Sequence, residues 1–302
     1  MDKVFSGWND LPKGYASEKI TEGCIVLEGG AFRAVYTSGV LDVLMQNGIN
    51  MSCVCGVSAG AMNGANYSSG QIGRSARINL RYRHDKNYVG LKPMITQHGI
   101  IGFDFVFGEI DGVEPFDYSA FDKRRFVAVT TDVDTGRARY WEKSNCSDLF
   151  QAIRASASMP YVSSPVEVDG TYNLDGGCSV NIPFNWAINQ GYEKVIVVKT
   201  RSSDYREGPQ SSAGNKVVQT MYKDRPALAE NLINMHDRYN LELDELYYLT
   251  KLHRVFTIEP SRSLDTVGRL EPDMEKLGKL YYLGVEDCKN RLEDLKGYLN
   301  YL

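Results

Sequence analysis

Histidine is scarce, with four in 302 residues, and positive charge does not dominate: 34 Lys and Arg against 38 Asp and Glu give a net charge of −4. That balance offers no bulk attraction for phosphate polymers and argues against nucleic acid as a partner. Long apolar runs are missing too. Stretches such as Val195 to Val198 fall far short of the ~18 residues needed to cross a bilayer. The first residues, Met1 to Trp8, show no basic segment followed by an apolar one, so no secretory signal is expected. Six cysteines (Cys24, Cys53, Cys55, Cys146, Cys178 and Cys288) include no C-x-x-C pair and no histidines at zinc spacing, so no metal site is expected. Cys53 and Cys55 are two apart and point to one side of a strand. Reduced, buried thiols fit a reducing compartment, and the cytoplasm is the expected location.

What is present is ordinary globular material, 43% apolar and 24% charged, enough to bury a sizeable core and not the composition of a disordered chain. Residues 1–22 read as a polar, loosely packed lead-in. Cys24 to Leu27 is an apolar run closed by Glu28-Gly29-Gly30, which reads as a strand buried on both faces. From Ala34 to Asn47 the apolar spacing becomes helical, with Gly48 where a cap belongs. Ile49 to Val57 reads as a second strand and Ala61 to Tyr67 as a second helix. Strand, helix, strand, helix at these lengths implies a parallel sheet with right-handed crossovers.

Downstream, Arg125 to Thr131 and Ala138 to Glu142 read as strands, and Asp148 to Ser158 as a helix. Val166 to Leu174 reads as a hairpin turning at Asp169-Gly170, Ile182 to Gln190 as a helix, and Lys194 to Thr200 as a buried strand. The Ser-, Gly- and Asp-rich stretch 201–215 is the best linker, and 216–302 is expected to be mainly helical, with a strand-like run at Val255 to Ile258. Met274 to Leu299 reads as a helix or helix pair interrupted near Gly284. The alternation of Phe103, Phe105 and Phe107 reads as a strand, in the sheet core or lining an acyl pocket. Arg74, Arg77 and Arg81 recur at helical spacing. A solvated helix face is the plainer reading, and contact with anionic head groups at a membrane surface is the other. Asp132 and Asp134 beside Gly136 read as a turn rather than a cation loop.

Three segments carry chemistry. Gly56-x-Ser58-x-Gly60 follows a strand and opens a helix, the nucleophile-elbow pattern: a sharp turn lifts the serine hydroxyl out of the packing, and Gly56 and Gly60 leave room where a Cβ would clash. Glu28-Gly29-Gly30-Ala31-Phe32-Arg33 also ends a strand and opens a helix, where backbone N–H groups are available to an oxyanion. A dinucleotide loop is the weaker reading, because Ala31 and Ala34 interrupt G-x-G-x-x-G and no acidic strand end follows. Asp175-Gly176-Gly177 puts a carboxylate in a tight turn that can point into a cleft; taken alone it is a plain turn.

Together these segments resemble the patatin-like phospholipases. Ala155-Ser156-Ala157-Ser158-Met159-Pro160 upstream of the D-G-G, and Gly39-Val40-Leu41 behind the first loop, are similar to that family as well. The resemblance covers about residues 23 to 200, and Leu264 to Tyr301 resembles the C-terminal extension of a bacterial subgroup. It implies a three-layer α/β/α fold with a mostly parallel central sheet, a catalytic domain over 23–200, and a helical extension packed on the same core. It also implies a Ser–Asp dyad without histidine acting on a lipid ester. By position Ser58 would be the nucleophile and Asp175 its base, with Gly29, Gly30 and Ala31 as oxyanion donors and Arg33 anchoring their loop. No cofactor is expected. The family's third loop glycine is Ala31 here, so the donors hold only if that residue needs no positive φ. An aspartate near its ordinary pKa of ~3.9 is a weak base at neutrality, so the site should be partly desolvated. The alternatives are a Ser-His-Asp esterase using His236 or His253, and an inactive relative that binds lipid or protein.

Overall fold

The computed structural model describes residues 3–300. Eight strands form the main sheet: β1 (Thr21–Leu27), β2 (Met51–Val57), β3 (Arg125–Asp132), β4 (Ala138–Trp141), β5 (Val166–Val168), β6 (Thr171–Asp175), β7 (Val195–Val198) and β8 (Phe256–Ile258). β8, β7, β1, β2 and β3 run parallel in that spatial order, while β4 and β6 are antiparallel to β3 and β5 closes a hairpin with β6. The parallel strands are apolar runs because helices cover both their faces.

The two-residue side-chain period sorts the layers. Ile25, Leu27, Val54, Ile196 and Val198 point to one face, where α1 (Val35–Gln46), α2 (Ala59–Ser68) and the helices Leu149–Ser156 and Met274–Asn290 pack. Cys24, Val26, Cys53, Cys55, Val195 and Val197 point to the other, under the helices Phe184–Asn189 and Met235–Lys251. The three layers and mostly parallel sheet are as expected, and the C-terminal segment adds β8 to the sheet edge beside its helices.

Several local expectations change. Phe5 and Leu11 are buried, Phe5 N–H donates to the Leu80 carbonyl, and Gly14–Tyr15 pairs with Gln71–Ile72, so residues 5–15 are packed rather than loose. The helix break expected near Gly284 lies at Arg291, between Met274–Asn290 and Leu292–Leu299. Gly284 instead lets two helices touch: a Cβ there would strike the Tyr36 carbonyl on α1, and one at Gly39 would strike the Tyr281 carbonyl. Tyr281 OH then donates to Asp42 Oδ2 at 2.9 Å across the same contact.

The phenylalanines are not on a strand. Phe103 and Phe107 lie on successive helical turns, their rings 5.7 Å apart, and Ile110 N–H closes a wide turn onto the Phe105 carbonyl. Of the three arginines expected on a solvated face, only Arg81 is exposed, over the Trp8 ring. On α3 (Arg74–Tyr82), Arg77 forks onto Glu114 with two 2.8 Å bonds and reaches the Pro12 carbonyl, while Arg74 reaches the Glu114 carbonyl; both are buried. The turn at Asp132 is a turn: its carboxylate accepts the N–H groups of Asp134 and Thr135 and pairs with Arg139.

Candidate active site

β3 explains how residues over a hundred positions apart meet. One of its edges holds β4 from Ala128 to Thr131. The other edge is shared end to end, with β2 parallel up to the Val57–Val129 pair and β6 antiparallel from the Thr130–Asp175 pair. The carboxyl ends of β2 and β6 therefore abut, and the chain leaves each into a turn. Ser58 follows Val57, and Asp175 ends β6.

Ser58 adopts φ 57 and ψ −126 before α2, a region that costs a non-glycine residue about 1–3 kcal/mol and persists only where its surroundings enforce it. They do. Ser58 N–H donates to Ser156 Oγ at 2.9 Å, and that hydroxyl donates to the Val129 carbonyl at 2.6 Å. A Cβ on Gly56 would come within 2.6 Å of the Ala61 backbone, and one on Gly60 would strike the Leu27 carbonyl. The two elbow glycines are required by this close approach of α2 to β1 and β2.

Asp175 is buried and lines the same cavity as Ser58. Burial pushes this carboxyl above the usual aspartate range. Ser58, the Gly177 N–H at 2.8 Å and the Arg269 charge act in the opposite direction. That is the partial desolvation the sequence called for.

The loop after β1 lies alongside. Thr200 Oγ1 donates to the Gly29 carbonyl at 2.6 Å, and Thr200 N–H donates to Glu28 Oε2 at 2.5 Å. Phe32 N–H is taken by the Arg269 carbonyl and Arg33 N–H by Gly30, while no bond among the described residues engages the N–H groups of Gly29, Gly30 or Ala31. Ala31 does take a positive φ, 50°, so the condition on this residue is not met by relaxed backbone: the loop holds an alanine in left-handed geometry at a cost of roughly 1 kcal/mol. The ties on the loop run through Thr200 and the backbone of Arg269, and the Arg33 Nε has no hydrogen-bond partner.

Two cavities meet at Ser58. The larger, about 320 Å³, is lined by Gly29, Gly30, Ala31, Arg33, Ser58 and Asp175, with Tyr205, Tyr239, Arg201 and Arg269 further out. The smaller, about 50 Å³, shares Ala31, Ser58 and Met159 and is otherwise mainly apolar, with Phe32, Val35, Met62, Tyr88 and Ile101. A third, also about 50 Å³, shares Met62, Asn79 and Tyr88 with the second and continues past Phe107, Phe116 and Phe150.

Among the described residues no histidine lines the first two cavities. His84 contacts the Pro272 carbonyl, His236 pairs with the adjacent Asp237, and His98 and His253 occupy left-handed turns. The sequence brought Ser58, Asp175 and the loop to notice but missed Ser156, Thr200 and Arg269. Ser156 stood in a segment already singled out. Arg269, 94 positions beyond Asp175, had no local signal.

A family model for patatin-like phospholipases matches residues 25–188, and one for a domain of unknown function (DUF6363) matches residues 225–300. The uncharacterized protein YjjU of Escherichia coli K12 is 29% identical over 62% of this chain and 54% of its own length. An uncharacterized NTE family protein, Mb1092c of Mycobacterium bovis, is 26% identical over 68% of this chain and 55% of its own. Lysophospholipase nte1 of Aspergillus niger is 25% identical over 90% of this chain but only 18% of itself. The chain thus spans about half the length of these two bacterial relatives. Among solved structures, VipD from Legionella pneumophila aligns with a TM-score of 0.48 at 12% identity, over 93% of this chain and 68% of that one. The match over more than half its length makes the chain a member of the patatin-like phospholipase family.

Proposed function

We propose that the protein is a serine acyl hydrolase that cleaves carboxylic esters of lipids through Ser58, Asp175 and an acyl-enzyme. The observation that carries this reading is the Ser58 hydroxyl, in a strained elbow, on the wall of a cavity it shares with a buried carboxylate and where a second cavity meets the first. Asp175 accepts the Ser58 proton as Oγ bonds to the ester carbonyl carbon. The resulting oxyanion is met by the N–H groups of Gly29 and Gly30, which no bond among the described residues engages, and by that of Ala31 only because the fold holds this residue in left-handed geometry despite the strain. Collapse expels the alcohol, which takes the proton back from Asp175, and water then repeats the sequence on the acyl-enzyme.

The apolar cavities suit an acyl chain. A lysophospholipase activity, as in the name of the Aspergillus niger relative, is part of the proposal. So is transient contact with a lipid surface: Leu91 and Ile95, 71% and 67% exposed, project from the short helix Leu91–Thr96, three residues past the Tyr88 that lines the second cavity. No described helix is long and apolar enough to cross a membrane. The histidine triad finds no support where no histidine lines the site. The test is a fluorophosphonate probe with peptide mass spectrometry: an adduct on Ser58 is expected, and an adduct elsewhere or none under native conditions rejects the reading.

A further inference from the structure

The helix Met235–Lys251 carries a polar stripe beside the site. Met235, Arg238, Tyr239 and Glu242 stand at i, i+3, i+4 and i+7, the spacing that gathers side chains on one helix face, and such a face usually holds core residues. Met235 and Tyr239 line the larger cavity. Tyr239 is buried and Arg238 and Glu242 are half-buried, so three polar side chains give up water there, which is costly unless each finds a partner. The bonds they make reach both loops of the site.

Tyr239 acts on the loop after β1. Glu28 and Thr200 leave neighbouring parallel strands, β1 and β7, and Glu28 N–H still donates to the Val198 carbonyl. Glu28 Oε1 accepts from Tyr239 OH at 2.6 Å, and Oε2 accepts from Thr200 N–H at 2.5 Å. Thr200 Oγ1 in turn donates to the Gly29 carbonyl at 2.6 Å, and a Cβ on Gly30 would come within 2.7 Å of that hydroxyl oxygen. The Gly29–Gly30 peptide is planar, with its C=O and N–H on opposite sides, so fixing the carbonyl fixes the direction of the Gly30 N–H. No bond among the described residues engages that N–H.

Arg238 and Glu242 act on the other loop. Arg238 donates to the carbonyls of Gly177 and Cys178 at 3.3 and 3.0 Å, and Glu242 Oε2 accepts the N–H groups of Asn181 and Ile182, each at 3.1 Å. This is the turn whose Gly177 N–H donates to Asp175 at 2.8 Å.

We propose that this helix, within the segment 225–300 matched by a domain of unknown function, is the positioning element of the active site: Tyr239 aims the Gly30 N–H at the oxyanion through Glu28 and Thr200, and Arg238 holds the turn that presents Asp175. This rests on the reading of Ser58 as nucleophile. Both residues work through backbone groups rather than on the reacting atoms. A bond that served stability alone could be lost from the folded protein with kcat unchanged, whereas an oxyanion donor displaced by about 1 Å loses much of its effect.

The experiment measures kcat and KM for p-nitrophenyl butyrate in wild type, Tyr239→Phe, Thr200→Val, Thr200→Ser and the double variant Tyr239→Phe/Thr200→Val, with circular dichroism as the check on folding. Tyr239→Phe and Thr200→Val are each expected to lower kcat about tenfold with KM within about twofold, the scale of one lost hydrogen bond. Thr200→Ser keeps the hydroxyl and should recover most of the Thr200→Val loss. The double variant should lose little more than the worse single one, because both act through one peptide group. Unchanged kcat in folded Tyr239→Phe, a change confined to KM, or losses that multiply in the double variant overturn the proposal. Hydrogen–deuterium exchange read by mass spectrometry tests the two loops without turnover. Tyr239→Phe is expected to speed exchange over residues 28–33, and Arg238→Gln (or Arg238→Lys, should the first not fold) over 176–182, with β2 and β3 unchanged. If wild type does not hydrolyse the ester, the reading of Ser58 fails, and exchange still decides the positioning role: no local change, or a change spread over the sheet, overturns it.

Discussion

Val57 and Asp175 pair with successive residues, Val129 and Thr130, on a single edge of β3. This shared edge sets the distance between the serine that follows Val57 and the carboxylate of Asp175, because the backbone ladder fixes both. Ser156 Oγ ties the same point a third time, bridging Ser58 N–H and the Val129 carbonyl. Ser156→Ala leaves the Ser58 N–H without that acceptor and is expected to lower kcat about tenfold or more with little change in KM, in steady-state kinetics on a short acyl ester. A change confined to KM would contradict the positioning role.

Activity should follow the Asp175 carboxylate. Burial raises its pKa, so kcat/KM is expected to climb with pH through one ionisation above the ordinary aspartate value of ~3.9. Arg269 stabilises the charged form, so Arg269→Gln should move that midpoint upward in a pH–rate profile. A midpoint that stays put or moves down would show that Arg269 does not act on this carboxylate.

Stability should run the other way. A group whose folded pKa is raised contributes stability that is present below its unfolded pKa and is lost as pH rises through the folded value. Replacing Asp175 by the neutral Asn removes the buried charge, so Asp175→Asn is expected to melt at least ~2 °C above wild type at neutral pH while losing activity. Equal or lower Tm would place the burial cost elsewhere.

The same sign applies to Asp42, which burial pushes up to about 7 between the Gly73 N–H and Tyr281 OH. Its contribution is full below about pH 4 and fades as pH rises toward 7. Tm measured from about pH 5 to about pH 8 should fall less steeply in Asp42→Asn than in wild type. Parallel curves would contradict it.

Much of this architecture was written in local pattern. Parallel strands covered on both faces must be apolar throughout, so Cys24 to Leu27 and Val195 to Val198 announced themselves, and the elbow serine stood between two glycines that packing requires. What stayed hidden depends on distant partners. Arg74 and Arg77 look like a solvated stripe until Glu114 and Pro12 arrive to bury them. Alternating phenylalanines fit a strand as well as a helical turn, and only packing on Phe150 decides. Gly284 reads as a helix break, yet it is where a second helix touches the Tyr36 carbonyl. Thr200 and Arg269 reach the site from segments with no motif of their own.

The acyl path offers another check. Met62 lines both apolar cavities, so Met62→Trp should narrow the passage between them. The ratio of p-nitrophenyl palmitate to p-nitrophenyl butyrate hydrolysis is expected to drop about tenfold, the order of a few lost methylene contacts. An unchanged ratio would route the chain elsewhere.

The most direct test of the Ser58–Asp175 pair is hydrolysis of a p-nitrophenyl acyl ester by wild type, Ser58→Ala, Asp175→Asn, His236→Gln and His253→Gln, each checked for folding by circular dichroism. Wild type and both histidine variants are expected to turn over, and Ser58→Ala and Asp175→Asn to lose ~1,000-fold or more in kcat. Activity that survives in folded Asp175→Asn, or disappears in either histidine variant, would contradict it.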